Sequence, residues 1–405
     1  MTLPLRPFLC FASLCLLPHA VGSQVLGPFQ VRVGAGIEHD SNVLRAPRDQ
    51  ERSDEIGFVS VAVKGDKQYG LQRIRLNAEG RRYTYRELNG LDYSNLNYSA
   101  AWDWAITPRF QGVLSADRRQ YRDVSRYRDL ADDSTDRPGG AGGRTDRTEL
   151  LEGRYLIDGN WRALGGVRHT SSRSREARPA GSDMDDTIWD ASPTTRSVQA
   201  GLGYEFASGR SVTARLRRGQ GDYRDWPATL VSADFEENEF ETELKWPITA
   251  KTALDARLAY LERNHDQAQG LNFSGPVGHA TVSWDVTSKT RLIGGVASDL
   301  YSHQLEGSGH VRSTRFFVKP VWKPTARTAV TLRYVRENRR WHGALAGTLE
   351  SGRRDISQWA IAELEWEPRR NVAVSTTLRH ERRGSSASVY RYRASTVAAA
   401  VNVAF

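Results

Sequence analysis

Residues 390–405, the last sixteen of the chain, form the stretch that most constrains its fold. The segment contains no glycine or proline, and its residues alternate between a strongly apolar set and a smaller, more polar set. The apolar set consists of Val397, Ala399, Val401, Val403 and Phe405. Because the side chains of a β-strand point alternately to opposite faces, this pattern predicts a strand with one distinctly apolar face.

The same alternation recurs from residue 29 onwards, in segments of about 10 to 14 residues, as is typical of tilted membrane-crossing strands. Tight turns are expected at residues 65–68, 107–109 and 158–160, and long polar loops at 122–147, 171–195 and 222–234. Outer-membrane barrels have short periplasmic turns and longer extracellular loops. The sequence therefore predicts an all-β fold, a single transmembrane antiparallel β-barrel of about 18 strands (16 to 18), with both termini in the periplasm.

Five tryptophans precede predicted short turns at matching positions along their strands. Core packing does not predict this regularity, whereas an aromatic belt at the membrane interface does. The predicted interfacial belt consists of Trp104, Trp246, Trp284, Trp322 and Trp366.

The N-terminus has the pattern of a secretory signal peptide. A basic start, an apolar run over residues 7–18 and the small residues at 20–23 predict a signal peptide at 1–23 and a barrel at 24–405. Cys10 and Cys15, the two cysteines of the chain, both lie in this signal. We therefore expect a mature protein without disulfides, thiol chemistry or cysteine-based metal sites.

Charge and hydropathy narrow the function. The mean hydropathy of −0.57 and the absence of long apolar runs exclude helical membrane spans. The chain has a formal charge of +9, and only seven of its 57 basic residues are lysines. We expect no nucleic-acid partner because the arginines are spread along an exported chain without forming a basic tail or cluster. Arginine does suit carboxylate, sulfate or phosphate groups.

Nine arginines fall on the predicted lumen face, interleaved with acidic residues. One interpretation is that cross-strand pairs of arginine and carboxylate stiffen the wall. The other is that surplus arginine forms a ladder that guides an anionic polymer through the pore. These lumen residues are Arg73, Arg75, Arg119, Arg154, Arg215, Arg217, Arg257, Arg333 and Arg379. The sequence contains no nucleophile elbow, zinc-protease pair or phosphate-binding glycine loop, so we predict no enzyme activity, cofactor or metal.

The first strand and its loop carry a resemblance. The glycine-containing segment 34–38 runs into Asp40, Ser41 and Asn42, followed by Leu44 and Arg45. Together with segments 91–93 and 204–209, this pattern resembles the β-barrel porin family associated with exosortase and PEP-CTERM exopolysaccharide clusters, the EpsL-like outer-membrane proteins. The resemblance spans the mature chain, and its motif residues here are Asp40, Asn42 and Arg45. It implies a non-enzymatic outer-membrane protein that takes part in exopolysaccharide production or export, with polysaccharide and polysaccharide-export proteins as partners.

The terminal strand also resembles the C-terminal signature of bacterial outer-membrane barrels, in which a final aromatic residue, here Phe405, serves as the assembly signal. This implies the barrel-assembly machinery as a partner and outer-membrane lipid as the surroundings. Continued from Val397 back towards residue 390, the same alternation of side chains points Arg391 and Arg393 outward and Tyr390 and Tyr392 inward. Either a β-bulge near Ser395 switches the faces, or these arginines lie at the outer rim against lipopolysaccharide phosphates, which we favour.

Three functions are consistent with this sequence. The first is an exopolysaccharide-associated barrel that conducts or anchors an anionic polymer. The second is a general or anion-preferring diffusion porin. The third, a soluble exported carbohydrate-binding protein, is disfavoured by the tryptophans near the turns.

Overall fold

The computed structural model describes residues 29–122, 143–175, 192–224, 232, 234–302, 310–343 and 351–405. The predicted signal peptide at 1–23 lies outside these residues. No helix in the described part of the chain is long and apolar enough to cross a membrane. The strands are β1 (Phe29–Asp40), β2 (Asp54–Tyr69), β3 (Gln72–Tyr85), β4 (Tyr93–Ala105), β5 (Phe110–Arg122), β6 (Gly143–Asp158), β7 (Trp161–Arg175), β8 (Ser192–Glu205), β9 (Ser211–Arg224), β10 (Phe235–Thr249), β11 (Thr252–His265), β12 (Phe273–Asp285), β13 (Thr290–Ser302), β14 (His310–Thr325), β15 (Thr328–His342), β16 (Arg354–Arg369), β17 (Val372–Ser385) and β18 (Tyr392–Ala404).

These strands form one closed antiparallel barrel. Each strand pairs with its neighbours in the chain, and β18 returns to pair with β1. At this seam Val31 and Phe405 exchange backbone hydrogen bonds of 2.8 and 3.2 Å. Closure leaves no strand edge with unpaired backbone groups, as a bilayer requires. The predicted 18-stranded antiparallel barrel is confirmed.

Alternation of side chains along each strand sets the two faces of the wall. In β1 the exposed positions include Val31, Val33 and Ile37, while Arg32 and Glu38 lie on the other, less exposed side. Directly paired residues of antiparallel strands share a face, so the register extends this assignment around the barrel. Apolar side chains consequently cover the outside, and polar side chains line the lumen.

The two ends of the barrel differ. At one end, here called the short-turn end, the strands are joined by tight connections, such as Gly159 and Asn160 between β6 and β7. At the opposite end, the loop end, the connections are longer. The predicted turn at 65–68 is wrong, because β2 continues to pair with β3 until Tyr69 meets Gln72, and the turn lies at Gly70. Gly70 has a φ of 57°, a left-handed conformation that favours glycine.

At the loop end several strands extend beyond the boundaries expected from sequence. β6 already begins at Gly143 and β8 at Ser192, although we expected loops as far as residues 147 and 195. Backbone pairing with β5, β7 and β9 carries these segments onward even where both of their faces are polar. The strands are therefore longer than the segments of apolar alternation from which their boundaries were predicted.

The last strand keeps one parity along its whole length. Its register against β17 and β1 shows no shift, with Arg393 exposed on the outside and Tyr392 on the inside. The alternative of a bulge near Ser395 is therefore wrong. Arg393 lies on the outer face at the loop end, as the rim interpretation requires.

Three connections at the loop end repeat one inward-folded shape. A short 3₁₀ turn follows β3, β11 and β17, and each buries its last residue, which is Leu91, Leu271 or Tyr390. In the first two, an Asp or Asn side chain just after the turn accepts a hydrogen bond from the backbone at the end of the preceding strand, namely Asp92 from Tyr85 (2.8 Å) and Asn272 from His265 (2.7 Å). Leu91 packs with Tyr83 and Tyr85, and Leu271 with Tyr223 and Phe235, all at inward positions, so these turns lie on the lumen side of the wall.

Close approach at the seam makes Gly36 a sensitive position. A Cβ atom there would lie 2.6 Å from the backbone oxygen of Ala399 on β18 and 2.4 Å from the ring of Phe58 on β2. We expect Gly36→Val to lower the stability of the barrel by about 2 kcal/mol, the range of overpacking. The temperature at which the protein loses its heat-modifiable migration on SDS gels measures the change. Gly57→Val is the control, since a Cβ at Gly57 meets no atom closer than 4.0 Å, and an equal effect of both would contradict the prediction.

Candidate functional site

The nine predicted lumen arginines all occupy inward-facing positions. Arg119 forms no ion pair within the described residues, and Arg333 lies on the inner face of β15. The other seven form ion pairs, which join Arg73 to Asp66, Arg75 to Asp103, Arg154 to Glu152, Arg215 to Glu241, Arg217 to Glu239, Arg257 to Glu241 and Arg379 to Glu381. Most of these arginines are thus neutralised by the wall itself.

The densest part of this network centres on β10. Glu241 faces Arg215 across the β9 pairing, and Glu239 faces Arg217. Arg257, on β11, contacts both carboxylates, with its Nε 2.5 Å from an oxygen of Glu241. Arg217 donates to Glu239 at 2.8 Å and lies 3.5 Å from Glu241. Three guanidinium groups therefore share two carboxylates on adjacent inward positions of one strand.

The network continues to β6 through Gln199 on β8. Glu152 accepts hydrogen bonds from Arg154 at 2.7 Å and from Gln199 at 2.8 Å. Gln199 in turn accepts a bond from Arg217 at 3.3 Å, and the Nε of Arg215 lies 3.6 Å from Glu152. Hydrogen bonds and ion pairs therefore link five strands, β6 and β8 to β11, on their lumen side.

Because these ion pairs are buried, removing one partner should destabilise the barrel more than breaking a surface ion pair would. The side chains of Arg215 and Arg217 are each 9% exposed, and those of Glu152 and Glu241 are 3% and 4% exposed. At such burial a charge that loses its partner is costly. Around the whole described wall, inward positions hold nearly equal numbers of basic and acidic side chains. The formal excess of positive charge is therefore not concentrated in the lumen.

Two inward groups depart from this pairing. Arg168 on β7 forms no ion pair or hydrogen bond with a described residue, and its Nε is buried. On β16, Glu365 is 5% exposed, and its buried Oε1 finds no hydrogen-bond partner among the described residues. Glu363 and Glu367 flank it on the same inward face. Sequence reasoning did not single out either group, because pairing depends on neighbours in other strands.

The motif residues Asp40, Asn42 and Arg45 form a set of contacts, here called the latch, on the lumen side of the loop end. Asp40 and Asn42 are buried, and the Asn42 side chain donates to the backbone oxygens of Ala46 (2.8 Å) and Arg393 (3.0 Å). Arg45 donates to both oxygens of Asp40, at 2.8 and 2.9 Å, and also pairs with Glu381. Burial disfavours the charged form of Arg45, but Glu381 and Asp40 together raise its pKa above the ordinary value. The motif thus fastens the first loop to β17 and β18 across the seam.

Apolar packing holds the same loop on its other side. Val43, which is 4% exposed, belongs to a buried cluster with Ile56, Tyr83, Tyr85, Leu88 and Leu91. Together with the latch, this cluster keeps residues 42–46 against the wall at the loop end. The motif residues therefore position a loop and line the mouth, and sequence reasoning could not see that Arg45 reaches Glu381.

The five predicted belt tryptophans lie near the short-turn end. Trp284, Trp322 and Trp366 face outward and are about half exposed, while Trp104 packs edge-on against Phe110 with ring centroids 5.2 Å apart. Trp246 contacts Phe206 at 5.7 Å, and the series continues through Tyr204 to Trp161. Sequence reasoning missed this aromatic chain because its members lie on neighbouring strands.

A second group that sequence reasoning missed is a buried cation–π cluster at the loop end. The guanidinium of Arg353 lies 3.3 Å from the ring centre of Tyr390 and 4.2 Å from that of Trp341. Asp355 accepts hydrogen bonds from Arg353 and Arg383. No sequence spacing signals this arrangement, since β15, β16, β17 and a turn each contribute to it. Within the described residues no group of His, Cys, Asp or Glu could hold a metal ion.

Several proteins of known structure are similar to this chain. OccK2 (OpdF) of Pseudomonas aeruginosa aligns with 93% of this chain and 98% of its own, with 12% identity and a TM-score of 0.48. The outer membrane protein OpdK of P. aeruginosa aligns over 93% and 99%, with 10% identity and a TM-score of 0.46. The siderophore receptor PirA of Acinetobacter baumannii aligns over 93% and 80%, with 9% identity and a TM-score of 0.45. The comparison with curated proteins finds no match.

A family model provides the assignment. The model described as "Putative beta-barrel porin 2" matches residues 194–405, which run from β8 to the end of the barrel and make up more than half of the chain. With its closed, outward-apolar barrel, the chain belongs to the Putative beta-barrel porin 2 family.

Proposed function

We propose that this outer-membrane barrel is a diffusion porin for small polar solutes with weak charge selectivity. The observation that carries the proposal is the neutralised lumen wall, in which Arg215, Arg217 and Arg257 share Glu239 and Glu241. A wall of nearly balanced charge neither excludes nor concentrates ions of one sign. An 18-stranded barrel is also wide enough for an aqueous path beside its inward side chains.

Purified protein in planar bilayers tests this function. We expect stable open conductance without any polymer, and a reversal potential near zero in a KCl gradient, because both ions permeate alike. Strong anion selectivity would contradict a lumen of balanced charge. It would instead support the hypothesis of an arginine ladder that guides an anionic polymer. A barrel that stays silent would contradict the diffusion porin altogether.

Exopolysaccharide export is the second candidate, and it rests on the family resemblance of the segment containing Asp40, Asn42 and Arg45. The predicted arginine ladder supports export less than a row of unpaired arginines would, because seven of its nine residues are paired with carboxylates. A deletion strain separates the two functions. Loss of surface polysaccharide with unchanged uptake of small solutes would favour export, and the reverse result would favour diffusion.

The membrane orientation is part of the same proposal. The short-turn end and both termini face the periplasm, the five tryptophans mark the periplasmic interface, and Phe405 is read by the barrel-assembly machinery. Protease added to intact cells should then cleave only at loop-end connections. Cleavage at the short turns in intact cells would show that the short-turn end faces the outside, and would contradict the proposed orientation.

A further inference from the structure

A band of outward-facing arginines runs across β14 to β18 at the loop end. Strand parity and exposure place all of them on the outside of the barrel, away from the lumen network. The band consists of Arg312, Arg336, Arg340, Arg354, Arg382 and Arg393.

Among the described residues, little negative charge lies near the band. Every acidic residue described on these five strands faces inward. Among the described residues only Glu51, 3.6 Å from Arg393, approaches the band. Register places Arg340 directly opposite both Arg312 and Arg354, and Arg382 opposite Arg393. Like charges directly opposite each other destabilise a sheet, so an anion bound on this face would stabilise the paired strands.

An apolar groove lies directly below the band on the same outer face. Arg336 and Arg382 both stand opposite Gln358, one outward position above Ala360. From there a depression of about 550 Å³ runs towards the short-turn end, where Ala360 and Ala362 leave space between bulkier neighbours. Its apolar lining includes Val318, Leu332, Leu378 and Val397.

We propose that this surface is a binding site for a phosphorylated glycolipid of the outer leaflet, with phosphates on the arginine band and an acyl chain in the groove. Arginine forms charge-assisted, bidentate hydrogen bonds with phosphate. An apolar groove beside the cations favours a lipid over a free anion, because free phosphate makes no contact that uses the groove. The proposal rests on the outer-membrane placement of the barrel and not on its channel activity, so a silent channel leaves it intact.

Titration of the purified full-length protein with bisphosphorylated lipid A, followed by native mass spectrometry, tests the site. We expect the variant R336Q/R340Q/R382Q to bind lipid A about 100-fold more weakly, because each of the three lost charge-assisted hydrogen bonds weakens binding by about fivefold. We also expect lipid A without phosphates to bind the unaltered protein as weakly as lipid A binds this variant. The variant should fold, since its positions are exposed and Gln retains polarity.

The matched control is R82Q/R196Q/R218Q, which removes the same charge from exposed outward positions of β3, β8 and β9. We expect this control to bind lipid A as the unaltered protein does. Three results would each overturn the proposal, namely equally weakened binding in both triple variants, equal binding of the dephosphorylated lipid, and binding of inorganic phosphate as tight as that of lipid A. Heat-modifiable migration on SDS gels verifies that both variants are folded.

Discussion

Replacing Glu239 and Glu241 by Gln should make the barrel anion-selective. The change leaves Arg217 and Arg257 without their carboxylate partners. Two uncompensated guanidinium groups near the path should favour an anion by about 1.4 kcal/mol, which corresponds to a roughly tenfold higher ratio of chloride to potassium permeability. The reversal potential in a KCl gradient measures the shift.

The same double variant should lower the free energy of unfolding by about 3 kcal/mol, because it breaks buried ion pairs while retaining one side of each. Glu236→Gln with Glu262→Gln is the control. Both residues face outward on β10 and β11, and Glu236 pairs with the exposed Arg218 at 3.0 Å. If the control shifts selectivity as much, the lumen network does not set the selectivity.

Replacing Arg45 by Ala should release the first loop and destabilise the barrel seam. The change leaves the buried carboxylates of Asp40 and Glu381, 5% and 3% exposed, without their shared cation. We expect a decrease in stability of about 3 kcal/mol, the range found when one partner of a buried pair is removed. The temperature of heat-modifiable migration should fall, and residues 42–53 should become accessible to protease.

Arg48→Ala is the matched control for the latch. Arg48 lies in the same loop but is exposed, so its removal should change neither stability nor protease sensitivity. If Arg45→Ala behaves like Arg48→Ala, the motif does not fasten the loop. Increased bilayer conductance in Arg45→Ala alone would further indicate that the latched loop narrows the mouth.

Much of the wall was predictable because the information is local. Alternation alone put Arg215 and Arg217 on one face and Leu216 on the other, and the structure has the same faces. Errors arose where pairing extends beyond the alternation, as at Tyr69, where β2 continues through the expected turn. The face that a strand residue occupies can thus be read from its neighbours in the chain. The residue at which the strand ends cannot, because it depends on pairing with other strands.

The partners of each side chain were not predictable. Glu241 meets arginines from both adjacent strands, and Arg45 meets Glu381 across the seam, at the far end of the chain. Such contacts depend on the stagger between strands and on which strand closes the barrel. This is why sequence reasoning left both the arginine ladder and the paired wall open, while the structure shows mostly paired arginines.

The sequence by itself determined the all-β barrel, its two faces and the residues that line each of them, because a strand's side chains alternate whatever its neighbours are. Only the tertiary structure decided where the excess positive charge lies. Register paired most inward arginines with carboxylates and placed outward arginines opposite one another, with Arg340 opposite Arg312 and Arg354. The physical reason is that a cross-strand neighbour is set by closure and stagger, which no single strand encodes.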